Sequence, residues 1–175
     1  MRRIGPEILG RLFDEHAAAL VLFARQWCDV PEDIVQDAFV ALARQGESPH
    51  RPVAWLFRVV HNGAIAAARQ SRRRRHRERR ASDPEAAPGA PWFAATDDRI
   101  DAEHATRLLA ELDAETRAVI VARLWGGLTF EDIARLQGCS LTTAYRRYQT
   151  GLARLHARLE PPWTSTHPPA KSTAT

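Results

Sequence analysis

The sequence predicts an all-α protein of two small helical bundles joined by a flexible linker, the C-terminal one containing a helix-turn-helix. Three observations lead there. Apolar residues recur at intervals of three and four in both halves, with no run of strand-like alternation. A stretch rich in proline and alanine, ASDPEAAPGAPWFAATDD over 81–98, breaks that period in the middle of the chain. The later segment TFEDIARLQGCSLTTAYRRYQTGL reads as short helix, glycine turn and long helix. A length of 175 residues, 45% of them hydrophobic and 26% charged, suits one domain or two very small ones.

The elements follow in order. Pro6 suits the first turn of a helix reaching about Trp27, whose apolar face carries Ile8, Leu9, Leu12, Phe13, Leu20, Phe23 and Ala24. A second helix is expected from Pro31 to about Gln45, with Asp29 as its cap and Ile34, Val35, Ala38, Phe39 and Leu42 inward. Pro52 opens a third, in which Trp55, Leu56, Val59 and Ile65 face the core and Gly63 weakens but does not end the run. No breaker separates this helix from the arginines that follow. After the linker, Ala102, Ala105, Leu108, Leu109 and Leu112 resume the period, and Asp113 caps a helix that Gly126 and Gly127 stop. Thr129 with Asp132 forms a capping box for Phe130 to Leu136, Gly138 turns the chain, and Ser140 caps the last helix. The buried stripe of that helix is expected at Leu141, Ala144, Tyr148, Leu152, Leu155 and Leu159. The domains are thus 6–80 and 99–160, with a disordered tail at 161–175.

The net charge of +4 conceals an asymmetry. Between Arg69 and Arg80 lie eight arginines and one glutamate, +7 in twelve residues, so the remainder is net negative. Charge concentrated in this way marks a surface for a polyanion rather than general solubility. Lys171 is the only lysine, so almost every cation is arginine, which suits bidentate phosphate contacts but also follows from a GC-rich coding sequence. Cys28 and Cys139 are far apart, and the histidines show no ligand spacing, so neither a disulfide framework nor a metal site is expected. No catalytic triad, phosphate-cradling glycine loop or paired-carboxylate arrangement emerges, and no enzyme or cofactor is predicted. With no apolar run of membrane length and no continuous apolar signal segment, membrane insertion is not expected and a cytoplasmic location is.

Two surfaces offer chemistry. On the last helix Thr142, Thr143, Arg146 and Gln149 project away from the expected core, flanked by Tyr145 and Arg147, a set of donors, acceptors and cations suited to a major groove. On the second helix Asp33, Gln36 and Asp37 lie on successive turns and form an acidic, amide-bearing stripe that can grip a basic partner.

Both halves resemble the bacterial RNA polymerase sigma factors, specifically the small two-domain extracytoplasmic function (ECF) group. LFDEHAAALVLFAR is similar to that family's opening helix, EDIVQDAFVALAR to its polymerase-binding helix, and PVAWLFRVVHNGAIAAARQSRRRR to its promoter-melting segment. LDAETRAVIVARLWGGLTFEDIARLQGCSLTTAYRRYQTGLARL resembles its reader of the minus-35 element. The resemblance implies a dissociable promoter-specificity subunit of core RNA polymerase that recognises and opens promoter DNA. It implies that Asp33, Gln36 and Asp37 meet the clamp coiled coil of the largest polymerase subunit. It further implies that Asn62 holds a base flipped from the minus-10 element, with Arg58, Arg69, Arg72 and Arg73 along the same DNA. Thr142, Thr143, Tyr145, Arg146, Arg147 and Gln149 would read minus-35. An anti-sigma factor is a further expected partner. His61, Ala66 and Tyr145 depart from the residues common in the family, so promoter sequence does not transfer. Two rival readings are a helix-turn-helix repressor or activator on an operator, and a protein that sequesters polymerase or a sigma factor. The EDIVQDAF and WLFRVVHN blocks argue against the first, since a dimerisation domain has no need of them.

Overall fold

The computed structural model describes residues 4–79 and 107–159. Helix α1 spans Pro6–Ala24, α2 Pro31–Arg44 and α3 Pro52–Arg79; α4 spans Ala114–Leu124, α5 Phe130–Gln137 and α6 Leu141–Leu159. The protein is all-α, in two helical parts, as the periodicity requires. A helical turn at 107–110 precedes α4. The expected linker at 81–98 and tail at 161–175 lie outside the described residues.

In the first part α1, α2 and α3 pack on one another around Leu20, Phe23, Ala38, Leu42, Leu56, Phe57, Val60 and Ala64, all buried. The leucines, phenylalanines and valine among them each contribute about 1.5–3 kcal/mol on removal from water. Phe23 is central, its ring meeting Phe57 at 5.0 Å and Trp27 at 4.8 Å in edge-to-face geometry. Gly63 has a packing reason to stand mid-helix: a Cβ there would lie 2.9 Å from Ile34 Cγ2, so α2 and α3 approach where a side chain would hold them apart. Three details differ from the sequence expectation. Helix α1 ends at Ala24 rather than Trp27. The cap of α2 is Val30, with no side-chain bond, while Asp29 pairs with Arg75 at 3.1 Å. The core face of α3 is rotated from the predicted one, so that Phe57, Val60 and Ala64 are fully buried whereas Trp55, Val59 and Ile65 are only partly so.

In the second part the predicted caps form. Asp113 accepts from the Thr116 amide at 2.9 Å, Thr129 from the Asp132 amide at 3.3 Å, and Ser140 from the Thr143 amide at 3.1 Å. Burial raises the Asp113 carboxyl, but its bonds from Thr116 outweigh that and hold it below the usual range. Gly138 adopts φ 63°, the left-handed conformation that ends α5 and re-aims the chain into α6. Gly151 lets α6 lie close on α4, since a Cβ there would be 2.8 Å from Thr116 Cγ2 and 3.1 Å from Ile120. On α6 Ala144 is buried and Tyr148, Leu152 and Leu155 are partly so, but Leu141, in the first turn, is 48% exposed among the described residues.

The two parts are docked against each other. Helix α1 packs on α4 and α3 on α5, and residues of both halves share one hydrophobic core. Nothing in the periodicity of either half announces that contact.

Candidate polymerase and nucleic-acid interfaces

Three exposed surfaces carry the expected site residues. On α2 the amphipathic pattern buries Val35, Ala38, Phe39 and Leu42, which turns Asp33, Gln36 and Asp37 outward, all exposed. Arg25 bonds Glu32 at 2.6 Å at the head of this helix and holds the Glu32 carboxyl below its usual range, while Asp33 and Asp37 form no ion pair among the described residues.

On α3 the buried Leu56, Phe57, Val60 and Ala64 set the rotation of the opposite face. At about 100° per residue, Arg58, Asn62, Arg69, Arg72 and Arg73 fall within one arc of about 100°, and all five are exposed. Asn62 is thus mid-helix and open to solvent. Burial pushes the His61 imidazole down, with the Asn62 bond opposing; its ring packs edge-on against Trp27 at 4.9 Å. Phe57 is fully buried, so its ring cannot stack on a base, and Trp55 is partly buried. A cleft of about 440 Å³ lies between the α1–α2 turn and the arginine run, lined among others by Trp27, Cys28, Asp29, Arg72 and Arg75. Burial raises the Cys28 thiol, so it is a poor nucleophile there.

On α6 the burial of Ala144 fixes the outward face. Thr142, Tyr145, Arg146 and Gln149 are exposed along it, and Gln149 donates to the Tyr145 hydroxyl at 2.8 Å. Tyr145, half exposed, rests its ring edge-on against Phe130 at 5.3 Å. Thr143, partly buried, shares a hydrogen bond with Ser140 at 2.8 Å. Arg147 differs: its guanidinium bonds Glu115 and donates to Gln137 Oε1 at 2.9 Å, tying α6 to α4 and α5. Sequence spacing placed Arg147 on the flank but contained no sign of Glu115, 32 residues away. Sequence reasoning also missed Arg51, which pairs with Asp132 in the other part.

Among the described residues no group of three or more His, Cys, Asp or Glu side chains is placed to hold a metal ion, and no helix is long and apolar enough to cross a membrane.

An exposed arginine face on a helix of one part and a helix-turn-helix in the other are features of the nucleic-acid-binding class of proteins. The chain matches the family model for sigma-70 region 2 over residues 12–74 and that for sigma-70 region 4 over residues 103–155. It belongs to the sigma-70 family, the sigma factors that direct bacterial RNA polymerase to promoters, with the region 2 and region 4 content of the ECF group. Its fold is similar to that of the sigma factor RpoE from Bartonella quintana, crystallised with the anti-sigma factor NepR, at 24% identity and TM-score 0.62 over 90% of this chain and 100% of that one. It is also similar to CnrH in complex with the cytosolic domain of CnrY, at 24% identity and TM-score 0.55 over 89% of each. No curated protein matches the chain.

Proposed function

We propose that this sigma factor holds core polymerase through Asp33, Gln36 and Asp37 and opens the minus-10 element on the α3 face of Arg58, Asn62, Arg69, Arg72 and Arg73. It reads minus-35 through α6. The observation that carries this reading is the coexistence on one chain of an unpartnered acidic stripe, an arginine and asparagine face, and a capped helix-turn-helix whose polar face is open. A polymerase-binding surface and two DNA surfaces are what a promoter-specificity subunit requires, whereas a repressor needs only one of the three. On α6, Thr142, Tyr145, Arg146 and Gln149 contact base edges; Thr143 and Arg147 flank them, and Arg147 reaches a phosphate by leaving Glu115.

The functional units are 6–80 and 99–160, joined by 81–98 and followed by 161–175. The chain binds and positions, and the polymerase does the chemistry, so it is not itself an enzyme and it works in the cytoplasm. The two structural relatives were each solved with a second protein, an anti-sigma factor in the case of RpoE. That supports an anti-sigma partner here as well.

Co-elution with core polymerase tests the polymerase surface. Charge reversal at both Asp33 and Asp37 should weaken the complex by about 2–5 kcal/mol, the loss typical when desolvated charges lose their partners. Affinity equal to the parent's would remove the stripe from the interface.

A further inference from the structure

We propose that Leu141, with Tyr145 beside it, is an apolar reader in the minus-35 interface and takes the C5 methyl group of one thymine. This rests on the promoter reading given above and adds a specificity-determining residue to it. By spacing Leu141 belongs with the buried stripe of α6, yet it is 48% exposed, and Tyr145 is 50% exposed. Among the described residues these two are the large hydrophobic side chains that α6 leaves to solvent. They stand four residues apart, hence as neighbours on one helix face. A single exposed leucine calls for no explanation, but these two form a patch at the end of the helix that enters the groove. Ser140, whose hydroxyl accepts from the Thr143 amide at 3.1 Å, fixes where that helix begins, and Leu141 is its first residue.

Position and chemistry both suit a base edge. At about 100° per residue, Leu141, Tyr145, Gln149, Thr142 and Arg146 follow one another around α6 within an arc of about 140°, so the patch is continuous with the polar reading face. The N-terminal residues of a recognition helix are the ones that meet base edges. The Tyr145 ring is held in place: its edge meets Phe130 at 5.3 Å, its hydroxyl accepts from Gln149 at 2.8 Å, and Arg123 lies over the Phe130 ring at 5.0 Å. The Leu141 side chain has no donor or acceptor, so it cannot read the hydrogen-bonding pattern of a base pair. The apolar group that a base pair presents in the major groove is the thymine methyl, and apolar side chains are what contact it.

The test uses the full chain assembled with core polymerase on promoter DNA selected by it. Each minus-35 thymine, on either strand, is replaced in turn by deoxyuridine, which removes the methyl and keeps every hydrogen bond. The parent should bind about fourfold more weakly at one position, the effect of burying one methyl-sized group. Leu141→Ala should bind the thymine duplex more weakly by a similar factor and be indifferent to uracil there; alanine favours helices, so α6 is kept. Leu141→Met, which retains an apolar contact, should respond as the parent does. Because no charge is lost, the Leu141→Ala defect should be the same at two salt concentrations, unlike loss of a phosphate contact. Arg146→Ala, acting at another position, should keep the response to uracil in full. Three results overturn the assignment: a minus-35 element without thymine, a parent indifferent to uracil at every position, as a contact to the sugar edge would give, or Leu141→Ala responding like the parent. If Arg146→Ala still relaxes the element in those cases, the promoter reading stands without Leu141; if no promoter DNA is selected at all, both fall.

Discussion

Arg146 and Arg147 are neighbours in sequence with different fates in the structure, and replacing each by alanine separates them. Arg146 is exposed and points away from the buried Ala144, with Thr142 and Gln149 on the same face. Among the described residues nothing competes for its guanidinium, so it can make a bidentate contact to guanine. Such a contact discriminates by about 1–3 kcal/mol, equivalent to about 5- to 150-fold in affinity between the preferred base and its competitors. Arg146→Ala should therefore relax preference at one position of the minus-35 element and leave the others. Arg147 is already paired with Glu115 and Gln137 and its side chain is 26% exposed. A phosphate contact by Arg147 must displace Glu115, which also offsets part of its charge. Arg147→Ala should weaken all sequences alike and lower the salt slope by less than the 0.9 or so expected for one free phosphate contact. Binding selections on randomised minus-35 duplexes at two salt concentrations give both quantities. Equal, uniform losses in the two variants would refute the division of roles, and no loss in either would take α6 off the DNA.

Asn62→Ala should impair promoter opening more than closed-complex binding, since an exposed amide on α3 can meet a base edge only after that base leaves the stack; permanganate footprinting checks this, and melting of a linear promoter as complete as the parent's contradicts it. His61 supplies a pH test. Its folded pKa lies below the ordinary value of 6.5, so above that pH it costs nothing, while below it the unfolded chain takes up a proton that the folded site resists. Stability should fall as pH drops through 6.5 towards the folded pKa, and His61→Gln should lose that component; a parent-minus-variant difference in melting temperature that rises on acidification would reverse the sign.

Local signals were legible in the sequence because they are local in physics. The caps at Asp113, Thr129 and Ser140 and the turn at Gly138 depend on residues three or four apart, and each forms as expected. The exposed placement of Asp33, Gln36 and Asp37 likewise follows from helical period alone. The Asp29 cap fails because the cap position falls on Val30, one residue later, and the Asp29 carboxylate pairs instead with Arg75, 46 residues away. The face of α3 is misjudged because Phe57 is buried partly by Gly126 of the other part, and no pattern within α3 records that neighbour. Leu141 reads as core by spacing but stands about half exposed in the first turn of α6. The pairing of Arg51 with Asp132 and of Arg147 with Glu115 required tertiary structure, since neither pair belongs to one element.

Reconstituted run-off transcription tests the central claim most directly. Core polymerase alone should give no specific transcript from a promoter selected by this chain, and core polymerase plus the full chain should initiate at one position on linear template. Charge reversal at Asp33 and Asp37, Asn62→Ala and Arg146→Ala should each reduce that transcript, the Asn62 defect being relieved on a pre-melted template. Promoter binding by the chain without any polymerase-dependent transcript, or repression of transcription by another sigma factor in its place, would contradict the assignment of these three surfaces to initiation.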